Sequence, residues 1–324
     1  MHKTITLLAL LIAGFTQAQY SIIIHGGAGN GLKAESLSEA QQATFHAGLK
    51  EALLIGDSAQ KAGLGALETV SLVIQNLEDN PIFNAGKGAV LTYEGVASLD
   101  ASIMDGSNLA AGSVAGLSCI KNPITAALAV LEHSPHVLLS GPGADTFALE
   151  HDLNKVDPKY FITEAKIKGW QRWRKSHSYA DTLKEFKMGT VGCVVRDRDG
   201  NIAAGTSTGG MMGKRHGRIG DSPIIGAGTY ANSKTVGISC TGHGEYFIRN
   251  AVAYQVSARY EMQEANGQKM ADVVVQQILK EQGGDGGLIG IDAKGNFISS
   301  FNTAGMLRGT LVEGEAPKTA IFQD

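Results

Sequence analysis

The sequence predicts an α+β fold in which antiparallel sheets stack and helices cover them. Three observations carry this. Thr190 to Arg196 and Ile202 to Thr206 are β-rich runs either side of Asp199-Gly200, a strong hairpin signal. Gly287 to Asp292 and Phe297 to Phe301 repeat that plan around Lys294-Gly-Asn. Between the hairpins lie helices, about Glu245 to Glu261 and Ala271 to Glu281, grouped rather than interleaved with strands, which argues against alternating βαβ units.

The remaining elements follow in chain order. Tyr20 to Ile24 is a β-rich run ending in His25-Gly-Gly-Ala-Gly29. Ser38 to about Leu54 reads as a helix. A second runs from Gly65 to Leu77, with Leu67, Val70, Ile74 and Leu77 at helical spacing, and stops before Asn80-Pro81. Phe83-Asn-Ala-Gly-Lys-Gly88 is a glycine turn. Leu99 to Gly106 and Ala111 to Cys119 read as paired strands, and Pro123 starts a helix to about Glu132. From Glu150 to Met188 glycine becomes rare and charged and aromatic residues rise. That stretch reads as an exposed, loosely ordered connector, where chain breaks concentrate.

With 43% hydrophobic and 18% charged residues, the 324-residue chain can bury a sizeable core. A net charge of −3, a pI near 6.3 and the lack of any Lys/Arg run give no sign of a nucleic-acid partner. The 42 glycines follow no G-X-Y period and cluster beside Thr, Ser, Asp and Asn, as where backbone approaches a ligand or itself. Residues 1–18 read as a signal peptide: Lys3, an apolar run from Leu7 to Phe15, then Thr16-Gln17-Ala18. The run is too short for a membrane span, and no other stretch reaches membrane length. The expected mature protein starts at Gln19 and is periplasmic or secreted. Cys119, Cys193 and Cys240 form no CxxC; they allow one disulfide but read as buried small apolar residues.

One pattern misleads. Gly205-Thr-Ser-Thr-Gly209, with His25-Gly-Gly-Ala-Gly, Asp221 and His243, imitates an α/β-hydrolase elbow, oxyanion motif and triad. The elbow needs a helix straight after Ser207, and the glycine-rich run from Gly210 to Gly220 would not form one. Ser207 and His243 also lie too close in sequence to hold the intervening strand–helix units.

A denser set surrounds Gly189-Thr190-Val-Gly192. A threonine hydroxyl needs a base, and its own α-amine, with a pKa near 8, can serve if the preceding peptide bond is cut. Thr206-Ser-Thr208-Gly-Gly210 adds hydroxyls beside bare backbone. Gly217-Arg218-Ile-Gly-Asp221-Ser-Pro223 places a cation and a carboxylate that suit the zwitterionic head of an amino acid. Thr241-Gly-His-Gly-Glu245 opens a helix whose N–H groups favour an oxyanion.

Together with Phe83-Asn-Ala-Gly-x-Gly, Leu99-Asp-Ala-Ser-Ile-Met-Asp-Gly and Gly226-Ala-Gly, these segments resemble the family of plant-type asparaginases and isoaspartyl peptidases, which includes the glycosylasparaginases. The motifs stand in family order from residue 20 to about 305. The resemblance implies a four-layer αββα sandwich of the N-terminal-nucleophile hydrolase type. It implies self-cleavage into an α chain, 19–189, with an exposed linker over about 150–189, and a β chain, 190–324, as parts of one domain, and association of two αβ units. It gives Thr190 the role of nucleophile, with Gly189–Thr190 the bond cut. Thr208 assists it, and Thr241 and Gly242 form the oxyanion hole. Arg218 and Asp221 anchor the substrate's α-carboxylate and α-amine, and Gly244 and Asn84 lie on the substrate side. In some members a backbone loop, here Leu77, Glu78 and Phe83, binds a structural sodium; no cofactor is required. The implied substrate is L-asparagine or a β-aspartyl dipeptide, hydrolysed through a threonyl ester. Gly189 stands where glycosylasparaginases carry Asp. Lys214-Arg-His-Gly217 is closer to their version of that loop and keeps cleavage of N-acetylglucosaminyl-asparagine as the alternative. The rival outside enzymes is an uncleaved binding relative, and the complete Thr190, Thr208, Arg218, Asp221 and Thr241 set argues against it. His25 reads as structural; His216 and His243 read at most as substrate-lining.

Overall fold

Antiparallel pairing organises the chain in a computed structural model that describes residues 19–176, 189–263 and 266–323. The expected leader, 1–18, and the connector residues 177–188 lie outside these. The larger sheet runs β12 (Lys318–Phe322), β11 (Gly305–Val312), β1 (Ser21–Gly29), β5 (Val191–Arg196), β6 (Ile202–Thr208), β2 (Leu99–Asp105), β3 (Ala111–Leu117) and β4 (Leu138–Ser140). The smaller runs β10 (Phe297–Phe301), β9 (Gly286–Asp292), β8 (Val236–Gly242) and β7 (Thr229–Ala231). Every pair is antiparallel except β3–β4.

The inner faces of the two sheets pack on each other. Helices α1 (Glu39–Lys61), α2 (Ala66–Asp79) and α3 (Pro123–His133) cover the larger sheet, and α4 (Gly141–Glu150) lies on β3. The smaller sheet is covered by α7 (Val252–Gln263) and α8 (Gly267–Asp272), which continues as a π-helix over Val273–Leu279. The order helix, sheet, sheet, helix is the expected sandwich. Three apolar clusters fill the three interlayer spaces.

Strand pleat decides what each layer receives. On β5, Val191, Cys193 and Val195 enter the cluster under α1 and α2, while Val194 enters the one between the sheets. On β6, Ala203 faces the helices and Ala204 the sheet interspace. By the same alternation Thr190, Gly192, Thr206 and Thr208 face the interspace and Ser207 faces the helices. On β8, Ile238 and Cys240 face the helices, so Ser239 and Thr241 face inward.

Helix α1 is capped by a reciprocal Ser38–Gln41 box and runs past Leu54 to Lys61. Two readings are corrected. The helix expected over 245–261 is two: α6 (Gly244–Arg249) and α7, separated at Ala251, which has φ 44°. The Ala253 and Tyr254 N–H groups donate to the Ala227 and Gly226 carbonyls, so tertiary partners replace the helical ones there. The connector is also more regular than expected over its described part. It holds a 3-10 turn, Pro158–Phe161, and α5 (Glu164–Ser176). Phe161 is fully buried and anchors the turn, whereas α5 buries no residue completely.

Candidate active site

Thr190 sits at the head of β5 where a β-bulge in β1, between His25 and Gly27, brings a second backbone against it. It is 6% exposed in the uncut chain. Its hydroxyl donates to Thr208 Oγ1 at 3.2 Å, and the Thr208 hydroxyl donates to the Gly189 carbonyl oxygen at 3.2 Å. Thr208 Oγ1 also accepts the Gly210 N–H at 2.9 Å. The Asn84 amide donates to the same Gly189 oxygen at 2.9 Å and to the Gly210 carbonyl at 2.8 Å. Two donors thus converge on the carbonyl that precedes Thr190. Gly189 has φ +130°, and a Cβ there would stand 2.2 Å from Asn84 Cβ. Only glycine lets the asparagine come this close.

Beneath Thr190 runs a buried polar seam. His25, fully buried, donates from Nδ1 to the Thr190 carbonyl at 3.1 Å. Burial pushes its pKa down to about 3, so the ring is neutral and Nε2 accepts from Ser239 Oγ at 3.1 Å. The seam continues through Thr206 Oγ1 (2.6 Å), Thr229 Oγ1 (2.6 Å) and Ser102 Oγ (2.7 Å) to the Ser222 carbonyl (2.6 Å). A Cβ on Gly192 would lie 2.0 Å from Ser239 Oγ and 2.3 Å from His25 Nε2, so that glycine makes room for the first link. The structural reading of His25 agrees with these partners.

The seam ends beside the loop that carries Arg218 and Asp221. Asp221 is 4% exposed, and its Oδ2 has no hydrogen-bond partner among the described residues. Burial lifts its carboxyl to about 7, with nearby Arg218 pulling the other way. A Cβ on Gly244 would stand 2.8 Å from Asp221 Oδ1 and 3.0 Å from Arg218 Nη2, so backbone there lies against both side chains. Arg218 is held by Glu245, Nε to Oε1 at 2.9 Å and Nη2 to Oε2 at 3.0 Å. Glu245 received no role in the sequence reading; its place in the first turn of α6, opposite an arginine on a glycine loop, was the available signal. Thr241 is fully buried at the end of β8, and its Oγ1 accepts the Ala28 N–H at 3.3 Å. Gly242 follows it, and His243 N–H donates to the Asp285 carbonyl.

Asn84, expected on the substrate side, joins the cluster through its amide on the Gly189 carbonyl. Ser207, the serine of the hydrolase-like pattern, points to the helix layer and donates to Glu78 Oε1 at 2.6 Å. The three cysteines are free, and Cys193 and Cys240 are buried. Leu77 and Glu78 form the last turn of α2, and Phe83 is buried just beyond it. No cluster of three or more His, Cys, Asp or Glu that could hold a metal occurs among the described residues.

Glu78 is itself fully buried, accepts from Ser207 and from the Ile124 N–H at 3.0 Å, and is lifted by burial to about 8. Its folded value exceeds its ordinary 4.5, so its contribution to stability is complete below 4.5 and is lost as pH rises through about 8. Glu78→Gln keeps the acceptor and is expected to remove this pH-dependent component, so that denaturant unfolding gives a flat stability between about pH 5 and 8 where that of the wild type falls. Glu78→Ala, which strands both donors, is expected to cost about 2–4 kcal/mol in denaturant unfolding.

The sequence model of a family described as asparaginase matches residues 18–321. The isoaspartyl peptidase of Salmonella typhimurium is 44% identical over 312 residues, covering 94% of this chain and 98% of the relative. That of Escherichia coli is 43% identical, covering 94% and 96%. The plant-type L-asparaginase of Thermococcus kodakarensis is 40% identical, covering 91% and 97%.

Proposed function

The chain belongs to the asparaginase family, and from that membership and the site geometry we propose that it cuts itself before Thr190 and then hydrolyses the side-chain amide of L-asparagine and β-aspartyl dipeptides. The observation that carries this reading is the convergence of Thr208 and Asn84 on the Gly189 carbonyl, with the Thr190 hydroxyl hydrogen-bonded to Thr208.

In self-cleavage, Thr190 Oγ adds to the Gly189 carbonyl carbon and negative charge grows on its oxygen. The Asn84 amide and Thr208 hydroxyl already donate to that oxygen, a contribution of about 3 kcal/mol per donor to such a step. The hydroxyl proton passes to the Thr190 nitrogen as the C–N bond breaks, an ester joins Gly189 to Thr190 Oγ, and water hydrolyses it. Gly189 leaves as a carboxylate and Thr190 gains an α-amine.

That amine is the base in turnover. It takes the hydroxyl proton as Oγ adds to the substrate's β-carbonyl, then passes it to the departing ammonia or amino acid. The Thr241 hydroxyl and Gly242 N–H face the oxyanion. Asp221 Oδ2, a buried carboxylate oxygen lacking a partner among the described residues, receives the substrate ammonium. Arg218, oriented by Glu245, receives the α-carboxylate. Water then releases aspartate from the β-aspartyl ester. The lack of room for a side chain at 189 favours this reading over the glycosylasparaginase one, whose members carry Asp there.

Three further points belong to this reading. The carbonyls of Leu77, Glu78 and Phe83 would hold any sodium ion, a structural role with no part in the steps above. Residues 1–18 act as an export leader; no helix among the described residues is long and apolar enough to cross a membrane. Two αβ units associate after the cut.

Intact mass and N-terminal sequencing of purified protein test it. Two fragments are expected, the smaller starting Thr-Val-Gly-Cys, together with release of aspartate from asparagine and from β-aspartyl dipeptides. A chain that stays whole removes the base and ends the reading.

A further inference from the structure

The loop that presents Arg218 is poorly suited to hold itself in place. His216 has φ 57° and Gly217 φ 69°, and the turn is closed by the Arg218 N–H on the Arg215 carbonyl. A histidine in left-handed backbone persists where its surroundings fix it. The fixing comes from three directions, the first being the buried Lys214 ammonium, which donates to the Ser98 carbonyl at 2.8 Å. Backbone bonds tie the loop to its neighbour, Gly213 N–H to the Leu91 carbonyl at 2.8 Å and Tyr93 N–H to the Lys214 carbonyl at 3.1 Å. Then α5 lies across both loops. Trp170 Nε1 donates to the Thr92 carbonyl at 2.8 Å, and Arg174 Nη1 to the Tyr93 carbonyl at 3.2 Å. The Tyr93 ring is shared by two guanidinium groups, that of Arg215 at 3.9 Å and that of Arg174 at 4.4 Å, and meets Trp173 edge-on at 6.3 Å. Gly213 lies so near Trp173 that a Cβ would come within 2.0 Å of the indole ring. At its other end, α5 sets Lys166 Nζ 3.5 Å from the Phe83 carbonyl, one residue before Asn84.

We propose that α5 is a positioning arm of the active site: stacked through Tyr93 on Arg215, it fixes the turn that presents Arg218, and it stays docked as part of the α chain after the cut. This rests on the proposed function. The arm touches the substrate-anchoring loop and not Thr190 or Thr208, so its loss weakens binding of substrate and transition state alike. That raises KM and leaves kcat in place.

Both tryptophans of the chain, Trp170 and Trp173, lie on α5, so tryptophan emission reports on the arm alone. With the mature enzyme, mass spectrometry is expected to find an α chain that retains residues 164–176, and saturating aspartate is expected to shift the emission. Trp173→Ala is expected to raise KM for asparagine about tenfold at unchanged kcat and unchanged extent of cleavage, and Trp173→Phe to restore it. Arg174→Gln, which keeps both indoles but removes one guanidinium from Tyr93, is expected to raise KM in the same direction and serves if Trp173→Ala does not fold. An unchanged KM in both variants, a fall in kcat alone, or a fully active enzyme that has lost α5 overturns the proposal. A wild-type chain that neither cuts nor turns over fails the proposed function instead, and the two failures are thereby separate.

Discussion

Thr190→Ala is expected to leave one uncut chain with turnover reduced roughly 10⁴- to 10⁶-fold, the loss seen when a nucleophile is removed from a cooperating set. The two consequences share one cause. Without Oγ nothing attacks the Gly189 carbonyl, so the donors from Asn84 and Thr208 have no charge to stabilise. Without the cut there is no α-amine, and turnover lacks a base as well as a nucleophile. Thr190→Ser restores both atoms and is expected to cut and turn over more slowly, because the missing methyl frees χ1. Ser207→Ala, on the opposite face of β6, is expected to mature and turn over. Denaturing electrophoresis and an ammonia-release assay read all three variants. Two fragments from Thr190→Ala, or retained turnover, would sink the nucleophile assignment.

Asp221→Asn is expected to lower kcat/KM by roughly 30- to 1000-fold, the usual cost of about 2–4 kcal/mol for removing one partner of a buried charge pair. The pH profile separates this from general damage. Burial raises the Asp221 carboxyl to about 7, and only its ionised form pairs with the substrate ammonium. In the wild-type enzyme kcat/KM should therefore rise with pH through about 7. A second rise follows from deprotonation of the Thr190 amine, near 8 in an unperturbed α-amine. The variant should lose the first step and keep the second. A profile unchanged in shape would remove Asp221 from substrate binding.

Much of the site could be read in the sequence because its residue types are chemically unusual there. A threonine between glycines at a strand start, hydroxyls at positions 206 and 208, and an Arg–Asp pair on a glycine loop have few structural reasons to coincide. The pleat then placed Thr190, Thr206 and Thr208 on one face without further information. What stayed hidden depends on long-range geometry. Asn84 and Gly189 are 105 residues apart, and which amide hydrogen reaches which carbonyl is set only when α2 docks on β5 and β6. The regularity of α5 was hidden for the same reason: its sequence is polar and basic, and its order comes from two indoles seated on loops distant in the chain. The break in the 245–261 helix arose from carbonyls at 226 and 227, which no local pattern could supply.

The seam between the Thr190 and Ser222 carbonyls has a consequence in its protons. Both ends only accept. Four hydroxyls bring four protons and a neutral imidazole one, yet the run has six links. One link must therefore face lone pair to lone pair, at a cost on the order of 1–3 kcal/mol for a buried acceptor left unmet. The Thr190 carbonyl holds the imidazole proton on Nδ1, so the fault lies among the hydroxyls, and each hydroxyl that rotates passes it to a neighbour. The floor of the site is thus a short thread of ice, with its oxygens fixed in place and its hydrogens shared among several arrangements.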